Sequence, residues 1–186
     1  MNYFIKRFSL TLIGVFLFQS LLFADDCYVP DGYSTIQGAI DTEACSVIIV
    51  APGTYYENPV IERGITLKSA DPANPAIIDG SQATGYNESC VLIQTPRSSN
   101  HRVGVTINDI VLTSGKGTEV FGDNNANGVF DGDEISKNMG GGMLIINADV
   151  TGSRNIIRDN GISSSNNNDL SGTHGGGGIF AGDDGL

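Results

Sequence analysis

The sequence predicts an all-β fold: a coil of short stacked strands closed at its start by one small helix. Three observations predict it. From residue 46 onward, β-branched runs of three to six residues alternate with Gly, Asn, Asp and Pro corners. The run "GGGMLI" at 140–145 returns as "GGGIFA" at 176–181, 36 residues later. And a single amphipathic helical stretch stands alone before all of the strands.

The first element is a leader. "MNYFIKRFSLTLIGVFLFQSLLFA" (1–24) has a basic start at Lys6 and Arg7, an apolar run from Leu10 to Phe23 and a small residue, Ala24, before "DD". That layout predicts a cleaved secretory signal. The polar Gln19-Ser20 leaves an apolar core shorter than the ~20 residues a membrane span needs.

Residues 25–45 are an N-terminal segment carrying the helix, expected over 34–44, "STIQGAIDTEA". Ser34 followed by Gln37 fits a capping box, and Ile36, Ala39 and Ile40 share one face at i, i+3 and i+4. Strands are then expected in "SVIIVAPGTY" (46–55), "PVIE" (59–62), "GITLKSA" (64–70), "AIIDGS" (76–81) and "CVLIQT" (90–95). They continue in "VGVTINDIVLTSG" (103–115), "GGGMLIINADV" (140–150), "RNIIRDNG" (154–161) and "GGGGIFAG" (175–182). "VTINDIVLTSG" also matches "VTGSRNIIRDNG" (150–161): an apolar residue, a polar corner at Asp109 or Asn155, an aliphatic pair, then Gly. Two insertions interrupt the repeat, one at about 117–139 and a polar one at 163–174.

"VPDGYSTIQGAIDTEA…VIIVAPGTYYENPVIERGITLKSA…AIIDGS" (29–81) resembles the N-terminal end of a right-handed parallel β-helix of the pectin-lyase-like superfamily. The resemblance implies that residues 46–186 are rungs of the coil, with the helix over its first rung. Stacked rungs would bond their backbones to one another and line up an aliphatic interior. The superfamily holds lyases, hydrolases, esterases, epimerases and non-enzymatic surface proteins, so the fold leaves the activity open. The chain stops directly after a strand that matches an internal rung. The expectation is a coil that continues past Leu186; the other reading is a polar cap formed by "AGDDGL".

Composition narrows the partners. Losing Lys6 and Arg7 with the leader takes Lys plus Arg from ten to eight against 21 Asp plus Glu, and the net charge from −11 to −13. Such a chain is a poor candidate for nucleic acid or anionic membrane and, unless cations bridge the two, for polyanionic sugars; polysaccharide or cell-surface components are the expected partners. Three cysteines lack any C-x-x-C pair, which argues against zinc. Cys27 and Cys45 flank one short segment and are the candidate disulfide, with Cys90 left over; the other reading is three buried thiols.

One motif carries metal chemistry. "DNNANGVFDGDE" (123–134) meets D-x-[DN]-x-[DN]-G-x5-E throughout. Asp123, Asn125 and Asn127 would offer side-chain oxygens, Val129 its carbonyl, Asp131 a ligand directly or through water, and Glu134 the closing carboxylate. Calcium takes six to eight hard oxygens, and Gly128 permits the sharp turn that gathers them. The flanks lack helical period, so a helix-less loop is expected, binding at roughly 10⁻⁴–10⁻³ M as extracellular modules do. The other reading is an acidic turn held by Asn and Asp side chains.

No reaction centre emerges. Asp183-Asp184 has no partners of the hydrolase type, Arg154 and Arg158 read as exposed structural arginines, and His101 and His174 lie in loop-like sequence. "NES" (87–89) fits a glycosylation acceptor. The catalytic residues are therefore unknown. The expected function is an exported surface or matrix protein that displays loops for binding. The alternative is the front of a carbohydrate-active enzyme whose catalytic rungs lie beyond Leu186.

Overall fold

Short aliphatic runs separated by single residues in the left-handed conformation give strands that change direction after four or five residues. The computed structural model describes residues 25–83, 87–96, 98–122, 135–162 and 177–182. The expected leader (1–24) and the insertion at 163–174 lie outside the described residues. Strand β1 (Asp25–Val29) is followed by the helix α1 (Ile36–Ile40), then β2 (Cys45–Val50), β3 (Thr54–Tyr55) and β4 (Val60–Ile61). Next come β5 (Ile65–Ser69), β6 (Ala76–Asp79), a single 3-10 turn (Gly80–Gln82), β7 (Val91–Gln94), β8 (Gly104–Asn108) and β9 (Ile110–Thr113). A hairpin of β10 (Thr118–Gly122) and β11 (Ile135–Met139) precedes β12 (Met143–Ile146), β13 (Asp149–Ser153), β14 (Ile156–Ile157) and β15 (Ile179–Gly182).

The fold is all-β, with parallel sheets and little helix. The first sheet runs β1-β2-β5-β8-β13, the second β14-β9-β6-β3 and the third β15-β12-β7-β4. Hairpin apart, the chain visits first, second and third sheets in turn from β2 to β15, and every pairing within them is parallel. Both sequence repeats are paired neighbours: Met143 lies against Ile179, and Val105 against Val150. Consecutive residues of β5 and β6 alternate between interior and surface, as strand geometry requires. Ile48, Leu67 and Ile107 of the first sheet, Ile78 and Leu112 of the second and Ile61 and Ile93 of the third join one fully buried cluster.

Three differences from the expected elements have local causes. The stretch 103–115 is two strands, because Asp109 adopts φ 60° and turns the chain from first to second sheet. Asn147, at φ 50°, divides 140–150 in the same way, and Arg154, at φ 54°, makes the next corner. Left-handed residues outside glycine are uncommon, and their recurrence at corners marks where the chain passes from one sheet to the next.

The helix is shorter than 34–44, and Thr35 rather than Ser34 caps it: Thr35 Oγ1 accepts from Gly38 N at 3.0 Å. Gln37 does not close a capping box. Its amide instead pairs with β4, donating to Val60 O and accepting from Val60 N at 2.8 Å. Glu57 supplies the missing cap, its two oxygens accepting from Ile36 N and Gln37 N at 3.0 Å each. At the other end Arg63 donates to the carbonyls of Ile40, Thr42 and Cys45, each at 2.7 Å. So both ends of α1 are held by charged residues flanking β4, satisfying groups that a one-turn helix leaves bare. Cys27 and Cys45 form a disulfide between β1 and the start of β2, with Cα atoms 5.5 Å apart.

Candidate metal loop and the flank that carries it

The hairpin β10–β11 is antiparallel, and its last pair is Gly122 with Ile135. It therefore encloses 123–134, the whole candidate calcium loop. The six candidate ligands, Asp123, Asn125, Asn127, Val129, Asp131 and Glu134, lie outside the described residues. What the structure defines is the base that holds them.

That base rests on the outer side of the third sheet. Val60, Leu92, Leu144 and Phe180 form one outward column across β4, β7, β12 and β15. Val120 of β10 and Met139 of β11 cover it, so Leu92 and Leu144 are buried although they face away from the interior. β7 is consequently buried on both sides, at Val91, Leu92 and Ile93. Burying a leucine side chain contributes about 1.5–3 kcal/mol, which makes this second small core a substantial anchor.

A buried polar network closes the joint. Thr118 Oγ1 accepts from Glu88 N and Ser89 N at 3.1 Å each and donates to Asn87 Oδ1 at 2.5 Å. The Ser89 hydroxyl lies 2.8 Å from that of Thr118, and Asn87 Nδ2 donates to Asn58 O. Asn58 Nδ2 in turn donates to Ser89 O at 2.8 Å, and Lys116 N to Glu88 O at 2.7 Å. Among the described residues no buried side-chain nitrogen or oxygen lacks a partner. Gly115 belongs to the same joint, since a Cβ there would meet Gly141 O at 1.9 Å. Gly140, at φ 60°, starts the return into β12.

This network settles the acceptor sequence at 87–89. Asn87 is 4% exposed and its amide nitrogen is engaged, so in the folded chain a glycan has no access to it. The sequence contained a signal for the network, the polar "NES" beside an apolar strand, but read alone it pointed to the surface.

The other candidates fall apart in space or into structural roles. Arg154 grips Asp109 through two bonds of 2.5 and 2.7 Å across neighbouring corners. Its guanidinium holds the Asp109 carboxyl below the usual carboxylate range, and the aspartate raises the arginine in return. Arg158 pairs with Asp159 at 2.7 Å. The two arginines sit on either side of β14 and share no strand. His101 is exposed in the turn before β8, while His174, Asp183 and Asp184 lie outside the described residues. Cys90 is fully buried between β7 and the Gly115 corner, and burial pushes its thiol up to about 11.

A cavity of about 370 Å³ opens at the β13–β15 end, lined mainly by Ile107, Met143, Ile145, Val150, Ile157 and Ile179. It continues the aliphatic interior. Among the described residues no three His, Cys, Asp or Glu side chains are grouped to hold a metal, and no helix is long and apolar enough to cross a membrane. No protein-family model, no curated protein and no solved structure matches the chain.

Proposed function

We propose that the chain folds as an exported right-handed parallel β-helix, similar to the pectin-lyase-like superfamily, whose flank displays a calcium-stiffened loop for binding. The single observation that carries this reading is the ordered return of the chain to three parallel sheets, with one hairpin set outside them. A coil of this kind holds its outer surfaces rigid, so an insertion anchored on a flank is presented in a fixed place. The candidate loop spans the twelve positions the calcium motif needs, between strands rather than helices. Asp123, Asp131 and Glu134 would supply charge, Asn125 and Asn127 neutral oxygens, and Val129 a carbonyl. Polysaccharide or cell-surface components are the partners this acidic, exported surface would meet.

Thermal unfolding in chelator and in 5 mM calcium, a dose set about tenfold above a mid-range affinity, tests the ion. Calcium should stabilise by about 1–2 kcal/mol and raise the midpoint by a few degrees. Asp123→Ala and Glu134→Ala should each abolish most of that shift. A calcium shift that survives Asp123→Ala would refute the ligand set.

A further inference from the structure

We infer that the Cys27–Cys45 bond is a redox latch on β1: oxidation seats this strand on the first sheet, and reduction releases it while the rest of the coil stays folded. Among the described residues β1 has a strand neighbour on one side only, β2. It buries two side chains, Cys27 and Val29, and exposes Asp25, Asp26 and Tyr28. Its other attachments are the packing of these two side chains beside α1, a bond from Tyr55 Oη to Val29 O at 3.5 Å, and main-chain bonds such as Ala51 N to Val29 O at 2.8 Å and Asp25 N to Ala44 O at 3.0 Å. An edge strand with so little burial is marginal without its cross-link.

The helix within the closed loop differs. α1 buries Ile36, Ala39 and Ile40 and is gripped by Glu57, Gln37 and Arg63, none of which depends on the disulfide. Reduction should therefore free β1 and leave α1 in place. It would bare the β2 edge, a row of main-chain groups open to another strand. Cys45 is fully buried and Cys27 6% exposed, so attack falls on the Cys27 sulfur as β1 frays. A thiolate of a dithiol displaces Cys45 and forms a mixed disulfide with Cys27. The second thiolate of that dithiol then closes its own disulfide, leaving thiols on Cys27 and Cys45. The latch would stay open in a reducing compartment and shut in an oxidising one. That last step, its timing with export, rests on the export reading; the latch itself does not.

Hydrogen exchange of the full chain, oxidised and after dithiothreitol, tests the latch. A cross-link of sequence separation 18 should slow local opening about 100-fold. Exchange at 25–29 and at the Ala51 amide should rise by that order on reduction, with 36–40 changing far less and 105–113 not at all. The Cys27→Ser/Cys45→Ser double variant should reproduce the reduced pattern without reductant. Alkylation of the reduced chain should label Cys27 and Cys45 while buried Cys90 stays protected. Unchanged exchange at 25–29, a uniform rise across the chain, or equal labelling of all three cysteines would each overturn the inference.

Discussion

The outer faces of the first and third sheets are both built on parallel strands, yet among the described residues only the third is covered, by the hairpin. On the first sheet the outward column reads Val47, Thr66, Thr106, Thr151, and beside it Lys68, Asn108 and Ser153. The hydroxyls of Thr106 and Thr151 meet at 3.0 Å, and Asn108 Oδ1 accepts from Ser153 N. These two pairs satisfy each other along the stack, and a mostly polar column needs no apolar cover. On the third sheet the equivalent column is Val60, Leu92, Leu144 and Phe180, which water would leave exposed if Val120 and Met139 did not lie over it. The inward residues of both sheets do the same work. The outward ones decide which flank the hairpin docks on.

The comparison breaks most directly at Leu92. Leu92→Ala should cost about 2–5 kcal/mol, as for any fully buried leucine, even though its side chain lies outside the coil. Urea unfolding measures it; a loss below about 1 kcal/mol would mean the hairpin does not cover that face. Thr118→Val should come next, at about 1–3 kcal/mol, because it strands the Glu88 amide in a dry joint and takes one of two partners each from Ser89 N and Asn87 Oδ1, which keep their bond to each other at 3.0 Å. Exchange of the Lys116 amide should quicken with it, while amides of the first sheet hold their rates.

The smallest effect expected is at the polar corner of the first sheet. Arg154 lowers the folded pKa of Asp109, so the pair stabilises the fold above the unfolded carboxyl value of about 3.9 and loses that contribution as pH falls through the lower folded value. Asp109→Asn should therefore lower the melting midpoint at neutral pH, and the variant and parent curves should converge near pH 2. Parallel curves at all pH values would remove the ion pair from the account.

Much of this architecture was legible in the chain because strands paired in one sheet repeat their chemistry. The two "GGG"-led runs and the "VT" runs pair as neighbours, and Gly, Asn and Asp mark their corners. What escaped detection lacked a repeat. β1 offers only Cys27 and Val29 as alternating inward residues, beside an expected leader that drew the reading elsewhere. The hairpin strands "TEVFG" and "ISKNM" mix polar and apolar residues and bracket a metal motif, so they read as loop. Glu57 and Arg63 cap α1 from 17 or more residues beyond its end, a distance at which no local capping rule applies. The candidate ligands rest on sequence spacing alone. Their docking surface was not, since Leu92 and Leu144 look like any interior residues of a strand.

The parallel stacking on which all of this depends can be read from one cross-link. Thr106 and Thr151 are 45 residues apart in the chain yet directly opposed on neighbouring strands. With Thr106→Cys and Thr151→Cys introduced together, mild oxidation should give an intramolecular disulfide between them in monomeric protein, identified by peptide mass mapping. Recovery of both residues as free thiols, or bridged only between two molecules, would contradict the stacked parallel fold.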